Sequence, residues 1–184
     1  RAEAELREIS RRNPDNPEAA LDVVRLLLRT EGPEAARAEL AEMIAAAPDL
    51  ERAYPFELAL AQLELDEDRP EAAIEHLRGV VAEAGEGPTG IEARVALARI
   101  LLEEGRGDEA RTLVDEALAG DPGNYTALVL RGRFALRDQD AEKAIADLRA
   151  ALAEDPESVE ALQLLALAHQ LNGSRHLAGD RLAD

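Results

Sequence analysis

The chain has 184 residues, among them 37 Ala and 29 Leu but only two Phe, two Tyr, one Met and no Cys or Trp, and 39 acidic against 21 basic residues give a formal net charge of -18. So few aromatics exclude most sandwiches and barrels, while 46% hydrophobic residues are too many for a disordered chain. The missing Cys excludes disulfides and thiolate chemistry, and acidity spread along the whole chain leaves no basic stripe for a nucleic-acid partner.

In chain order the pattern is one of helices separated by short turns. Residues 1–16 read as a lone second helix. Segments 17–50, 54–87, 91–124 and 125–158 each read as helix, turn, helix, with turn signals TEGPE, DEDRPE, EGRGDE and RDQDAE in the middle. Residues 159–184 read as a first helix, a turn at NGSRH and a truncated second helix, completing one array of about ten helices.

The repeat is fixed by a small residue at Ala2, Ala36, Ala73, Ala110, Ala144 and Ala178, with gaps of 34, 37, 37, 34 and 34. Four residues later come Leu6, Leu40, Leu77, Val114, Leu148 and Leu182, and seven later Ile9, Met43, Val80, Ala117 and Ala151, which is one helical face. Twelve later come the breakers Pro14, Pro48, Gly85, Pro122 and Pro156. Upstream, small or slim residues at Val24, Ala61, Ala98, Gly132 and Ala166 let paired helices approach. Two three-residue insertions, around Glu51 to Ala53 and at Pro88 to Gly90, read as longer turns or as a change of twist.

On these columns, and on segments such as GRGDEARTLVDEALAGDPGN and DAEKAIADLRAALAEDPESVEAL, the whole chain resembles the tetratricopeptide repeat (TPR) family. The resemblance implies an all-α, right-handed solenoid of antiparallel helix pairs whose concave groove, lined by first helices, takes a protein or peptide partner. One departure is the family's large residue early in each first helix, here Ala20, Glu57, Arg94, Leu128 or Leu162. The Ala- and Arg-rich units also look similar to long bacterial TPR proteins, including lipoproteins associated with exopolysaccharide and PEP-CTERM sorting systems, which would imply an envelope location.

In that groove the column eleven residues before the anchor Ala holds Arg25, Gln62, Arg99, Arg133 and Leu167; fifteen before stand Leu21, Leu58, Val95, Val129 and Gln163; seven before stand Arg29, Asp66, Glu103, Arg137 and Leu171. This reads as a basic groove with an apolar strip, suited to a segment bearing carboxylates. It equally reads as ordinary solvated arginine, because Glu103 can neutralise Arg99, and Glu18 and Asp22 can pair with Arg25 and Arg29. The Lys and Asn pattern by which some TPR domains clamp a C-terminal carboxylate is missing.

No catalytic, cofactor or metal site is expected. Ser10, Ser158 and Ser174 lack a nucleophile setting, His76, His169 and His176 form no H-E-x-x-H, with His169 standing in a core position, and no glycine-rich phosphate loop occurs. No apolar run reaches the roughly 18–20 residues of a membrane helix. The opening RAEAELREIS, without an initiator Met, suggests an excised fragment; the compartment stays open between the bacterial cytoplasm and the periplasm or envelope. The leading function is a non-catalytic scaffold for protein–protein interaction. The alternative is a spacer or self-association module, with a homodimer formed through the apolar C-terminal end at Leu177 and Leu182.

Overall fold

The computed structural model describes residues 2–13 and 16–183, and the side chains of 3–13 and 16–173. Pro14 and the side chains of Ala2, Ser174, His176, Leu177, Ala178 and Leu182 lie outside the described residues. The described residues form helices α1 (Ala2–Arg12), α2 (Pro17–Thr30), α3 (Pro33–Ala46), α4 (Leu50–Asp66), α5 (Pro70–Ala84), α6 (Pro88–Glu103), α7 (Gly107–Gly120), α8 (Tyr125–Arg137), α9 (Ala141–Glu154) and α10 (Val159–Ala183), without strands. They divide into two compact units, Arg1–Ala96 and Leu97–Asp184, with the division inside α6.

Local chemistry sets the helix boundaries. Asn16, Asp49, Asn124 and Asp140 cap α2, α4, α8 and α9, each side chain accepting a backbone N–H of the first turn. Pro17, Pro33 and Pro70 open α2, α3 and α5, where a missing N–H costs nothing. The four hairpin turns close alike. The backbone N–H groups of Gly32, Arg69, Arg106 and Asp140 donate to the carbonyls of Leu27, Glu64, Leu101 and Ala135, five residues back. In three of these turns the preceding residue, Asp68, Gly105 or Gln139, has a φ between 58 and 76°.

In the first unit α1 packs on α2, α2 on α3, α3 on α4, α4 on α5, and the first helices α2 and α4 also touch. In the second unit α7 packs on α8, α8 on α9, α9 on α10, and α8 touches α10. The repeat columns form the cores of both. Ala36, Ala73, Ala110 and Ala144 are fully buried, as are Leu40, Leu77, Val114 and Leu148 four residues on, each of these larger side chains contributing about 1.5–3 kcal/mol. Small residues do set the helix spacing: a Cβ at Gly132 on α8 would lie 2.8 Å from Leu148 Cγ on α9.

The helical framework departs from the sequence expectation at four places. The insertion residues Glu51 to Ala53 and Pro88 to Gly90 do not lengthen turns; they add a helical turn to the starts of α4 and α6, because Asp49 caps the one and Pro88 opens the other. Gly90 sits so close to the carbonyl of Gly85 that a Cβ would come within 2.2 Å of its oxygen. At NGSRH the expected turn is absent and α10 runs through Gly173 unbroken, since a lone Gly costs only about 1 kcal/mol and no Pro follows. His169, expected in a core position, is exposed on α10.

Polar groups replace the family's large residue at two repeats. Glu57, buried on α4, is in ion-pair contact with His76 of α5. Arg94 of α6 donates to the carbonyl oxygen of Gly85 at 2.6 Å. Two more buried carboxylates join helices: Glu64 of α4 meets Arg37 of α3 at 2.8 Å and Arg69 at 2.7 Å, and Asp147 of α9 takes both arms of Arg131 of α8 at 2.9 and 2.7 Å. The hydrogen bonds to Asp147 hold the Arg131 guanidinium pKa above its ordinary value.

Candidate functional site

The first unit carries a depression of about 280 Å³ between α2 and α4. Leu21, Val24, Arg25 and Leu28 of α2 line one side and Ala59, Gln62, Leu63 and Asp66 of α4 the other, both sets at i, i+3, i+4, i+7, so each helix turns a single face inward. Ala36 and Leu40 of α3 lie beneath, in the cluster that also holds Val24 and Leu63. The walls are apolar and Leu28 is 38% exposed; the polar groups along the depression are Arg25, Gln62 and Asp66.

Electrostatics separate the groove arginines. Arg25 is held at 2.9 Å by Glu18 and at 2.8 Å by Asp22, and hydrogen bonding to Glu18 first and Asp22 second raises its pKa. Gln62 Nε2 donates to Asp66 Oδ1 at 2.8 Å. In the second unit Arg133 of α8 stands 3.9 Å from Glu160 of α10, both about half exposed, a contact of little energetic weight. Arg29, Arg99 and Arg137 are exposed and form neither a hydrogen bond nor an ion pair among the described residues. The Arg99 pairing with Glu103 and the Arg29 pairing with Glu18 or Asp22 are therefore not made.

The apolar strip does not line the groove as the spacing suggested. Leu21 does border the depression, but Leu58 packs against Tyr54, Val80 and Ala93, while Val95 and Val129 are buried at 8% and 3% exposure. Leu28 and Ala59, which the column reading left out, supply apolar wall instead; their signal is the i+3 offset from Arg25 and the i−3 offset from Gln62. Among the described residues no group of His, Asp and Glu could hold a metal ion, and no helix is long and apolar enough to cross a membrane.

A family model described as tetratricopeptide repeat matches residues 58–125, 95–159 and 129–174, together more than half of the chain. No curated protein matches the sequence. Among solved structures, a tetratricopeptide repeat protein from Parabacteroides merdae is 18% identical with a TM-score of 0.65, covering 85% of this chain and 60% of its own length. BtubC from P. vanneervenii is 17% identical with a TM-score of 0.71, over 93% of this chain and 80% of that one. The MamA protein is 20% identical with a TM-score of 0.64, over 89% and 86%. The present chain thus spans three fifths of the P. merdae protein. At these identities the neighbours establish the fold, all-α with the helix pairs of a TPR solenoid, and the family match establishes the membership. The chain belongs to the tetratricopeptide repeat family, whose helix pairs are generally non-catalytic scaffolds for protein–protein interaction.

Proposed function

We propose that the first helices of each unit hold a protein segment bearing carboxylates and apolar side chains. The observation that supports this is the set of exposed arginines, Arg29, Arg99 and Arg137, that make no hydrogen bond or ion pair among the described residues, on a chain whose net charge is -18, with an apolar depression beside Arg25 on the same helix as Arg29. Desolvating a free guanidinium against a ligand carboxylate forfeits no existing ion pair, whereas engaging Arg25 means displacing Glu18 and Asp22. Leu21, Leu58, Gln62, Val95, Val129 and Arg133 then divide into groove side chains (Leu21, Gln62, Arg133) and supports beneath them.

The test is selection of a random peptide display library on the chain. Enrichment of Asp and Glu near a large apolar residue, weakening with salt, is expected, and so is its loss in the triple variant Arg29→Glu, Arg99→Glu, Arg137→Glu with helicity unchanged. The same enrichment on the triple variant would refute the reading.

A second reading, self-association, is favoured by one observation: α10 leaves Val159, Leu162 and Leu167 exposed at 66, 48 and 54%. A mass in solution that stays monomeric at every concentration would remove it. The narrower reading, a place in cell-envelope polysaccharide export or protein sorting, rests on the style of the Ala- and Arg-rich units and is tested by fractionating the source cells.

A further inference from the structure

A second cavity of the first unit lies away from the groove. A cleft of about 760 Å³ opens where the C-terminal end of α3 meets the N-terminal ends of α2 and α4, and it shares no lining residue with the depression between α2 and α4. Its walls are unusual for this chain. The single Met of the sequence, Met43, and one of its two Phe, Phe56, stand there, both partly buried and packed against the Leu40 cluster. Pro48 and Pro55 add rigid apolar surface, and Ala46 leaves the mouth open. Glu51 and Arg52 come from the insertion that extends α4 by a turn, so that insertion builds one rim of the cleft.

Charge decides what the cleft would take. Glu51 forms no hydrogen bond or ion pair among the described residues, and Asp49 beside it accepts the backbone N–H of Arg52 at 2.9 Å. The C-terminal end of α3 meets the N-terminal ends of α2 and α4 here, so the helix dipoles offset one another and the carboxylates of Glu51 and Asp49 set the charge of the cleft. Arg52 is already engaged. A flexible thioether next to an aromatic ring adapts to varied apolar shapes, and prolines keep the walls preformed.

The geometry points to this cleft as a second docking site, for a partner segment that inserts one large apolar side chain between Met43 and Phe56 and sets an adjacent Lys or Arg against Glu51 and Asp49. The polarity is opposite to that of the groove, so a scaffold carrying both would hold an acidic segment on one face and a basic-apolar one at the helix ends.

The experiment uses the intact chain carrying 13C-methyl methionine, with the Met43 signal identified by its absence in Met43→Leu. The probes are the blocked pentapeptide Ala-Phe-Ala-Arg-Ala and its counterpart with Glu in place of Arg. A saturable shift of the Met43 methyl by the first peptide is expected, with half-saturation at least about fivefold weaker for the second. The shift is lost in Ala46→Trp, which fills the cleft from an exposed helix-end position, and kept in the Arg29, Arg99, Arg137 triple variant, so this site and the groove fail independently. No saturable shift at millimolar peptide, an equal shift by the Glu peptide, or survival of the shift in Ala46→Trp overturns the assignment. A Met43 shift that follows protein concentration without peptide assigns the cleft to a second copy and also overturns it.

Discussion

Two helical glycines of this chain respond to the same substitution with opposite sign. At Gly132 on α8 an added Cβ lies 2.8 Å from Leu148 Cγ and 2.9 Å from Cδ2, roughly 1 Å inside the optimum for carbon contacts of about 3.5–4.0 Å. Leu148 cannot retreat, because it is fully buried among Ala135, Ala144 and Ala168. Overpacking of that kind costs about 1–3 kcal/mol, against about 1 kcal/mol regained in helix propensity, so Gly132→Ala is expected to destabilise by about 1 kcal/mol. Gly79 on α5 is exposed, with nothing within 4 Å of the place an added methyl would take, and Gly79→Ala is expected to stabilise by about 0.5–1 kcal/mol. Leu148→Ala alone costs about 2–5 kcal/mol. In the Gly132→Ala, Leu148→Ala double variant the new methyl enters the vacated space, so the loss falls short of the sum by about 1–2 kcal/mol. Urea unfolding followed by far-UV circular dichroism measures all four. A Gly132→Ala variant as stable as Gly79→Ala, or an additive double variant, would refute the claim that a glycine sets the α8–α9 spacing.

Two further outcomes follow from the polar contacts and the turns. Asp147→Ala leaves the Arg131 guanidinium without its bidentate partner at a site where Arg131 is 29% exposed, so the loss lies below the full cost of an orphaned buried charge, at about 2–3 kcal/mol; a urea midpoint within error of the parent's would show that water compensates fully. Asp68 adopts φ 58° in the α4–α5 turn, and Asp68→Val is expected to lose about 1–2 kcal/mol while Asp68→Gly loses nothing; equal midpoints for the two would remove backbone strain as the reason for the residue type.

The framework was legible because one period dictates it. From Ala36 to Leu148 the columns at the anchor Ala and four residues later are the residues that the packing closes over completely, since a stripe recurring every three to four residues has only one face to bury, while Leu6 on α1 is only partly buried. The insertions were less legible. Counting residues against a 34-residue repeat treats extra ones as loop, whereas Asp49 and Pro88 are local start signals that let the helices begin earlier. The NGSRH stretch misled in the other direction: Gly and Asn mark turns when a Pro or a packed partner helix enforces the break, and α10 has no Pro in it.

The candidate groove shows where column counting stops and helix geometry takes over. Arg25 and Arg29 are equally exposed in kind and four residues apart on α2, yet only Arg25 is paired. Glu18 and Asp22 stand seven and three residues before Arg25, on its own face and toward the N-terminus, the order in which a carboxylate best reaches a cation one turn later. Before Arg29 the same offsets hold Asp22, already engaged, and Leu26. Arg99 has Glu92 seven residues before it but Ala96 three before, so only one of the two offsets is acidic, and Glu103 follows it; for Arg137 the neighbouring Asp138 is taken by Arg111 at 2.7 Å. Arg25 alone of these four has a carboxylate at both offsets, and the arginines left unpaired among the described residues come from two columns, Arg99 from that of Arg25 and Arg29 and Arg137 from the one four residues later.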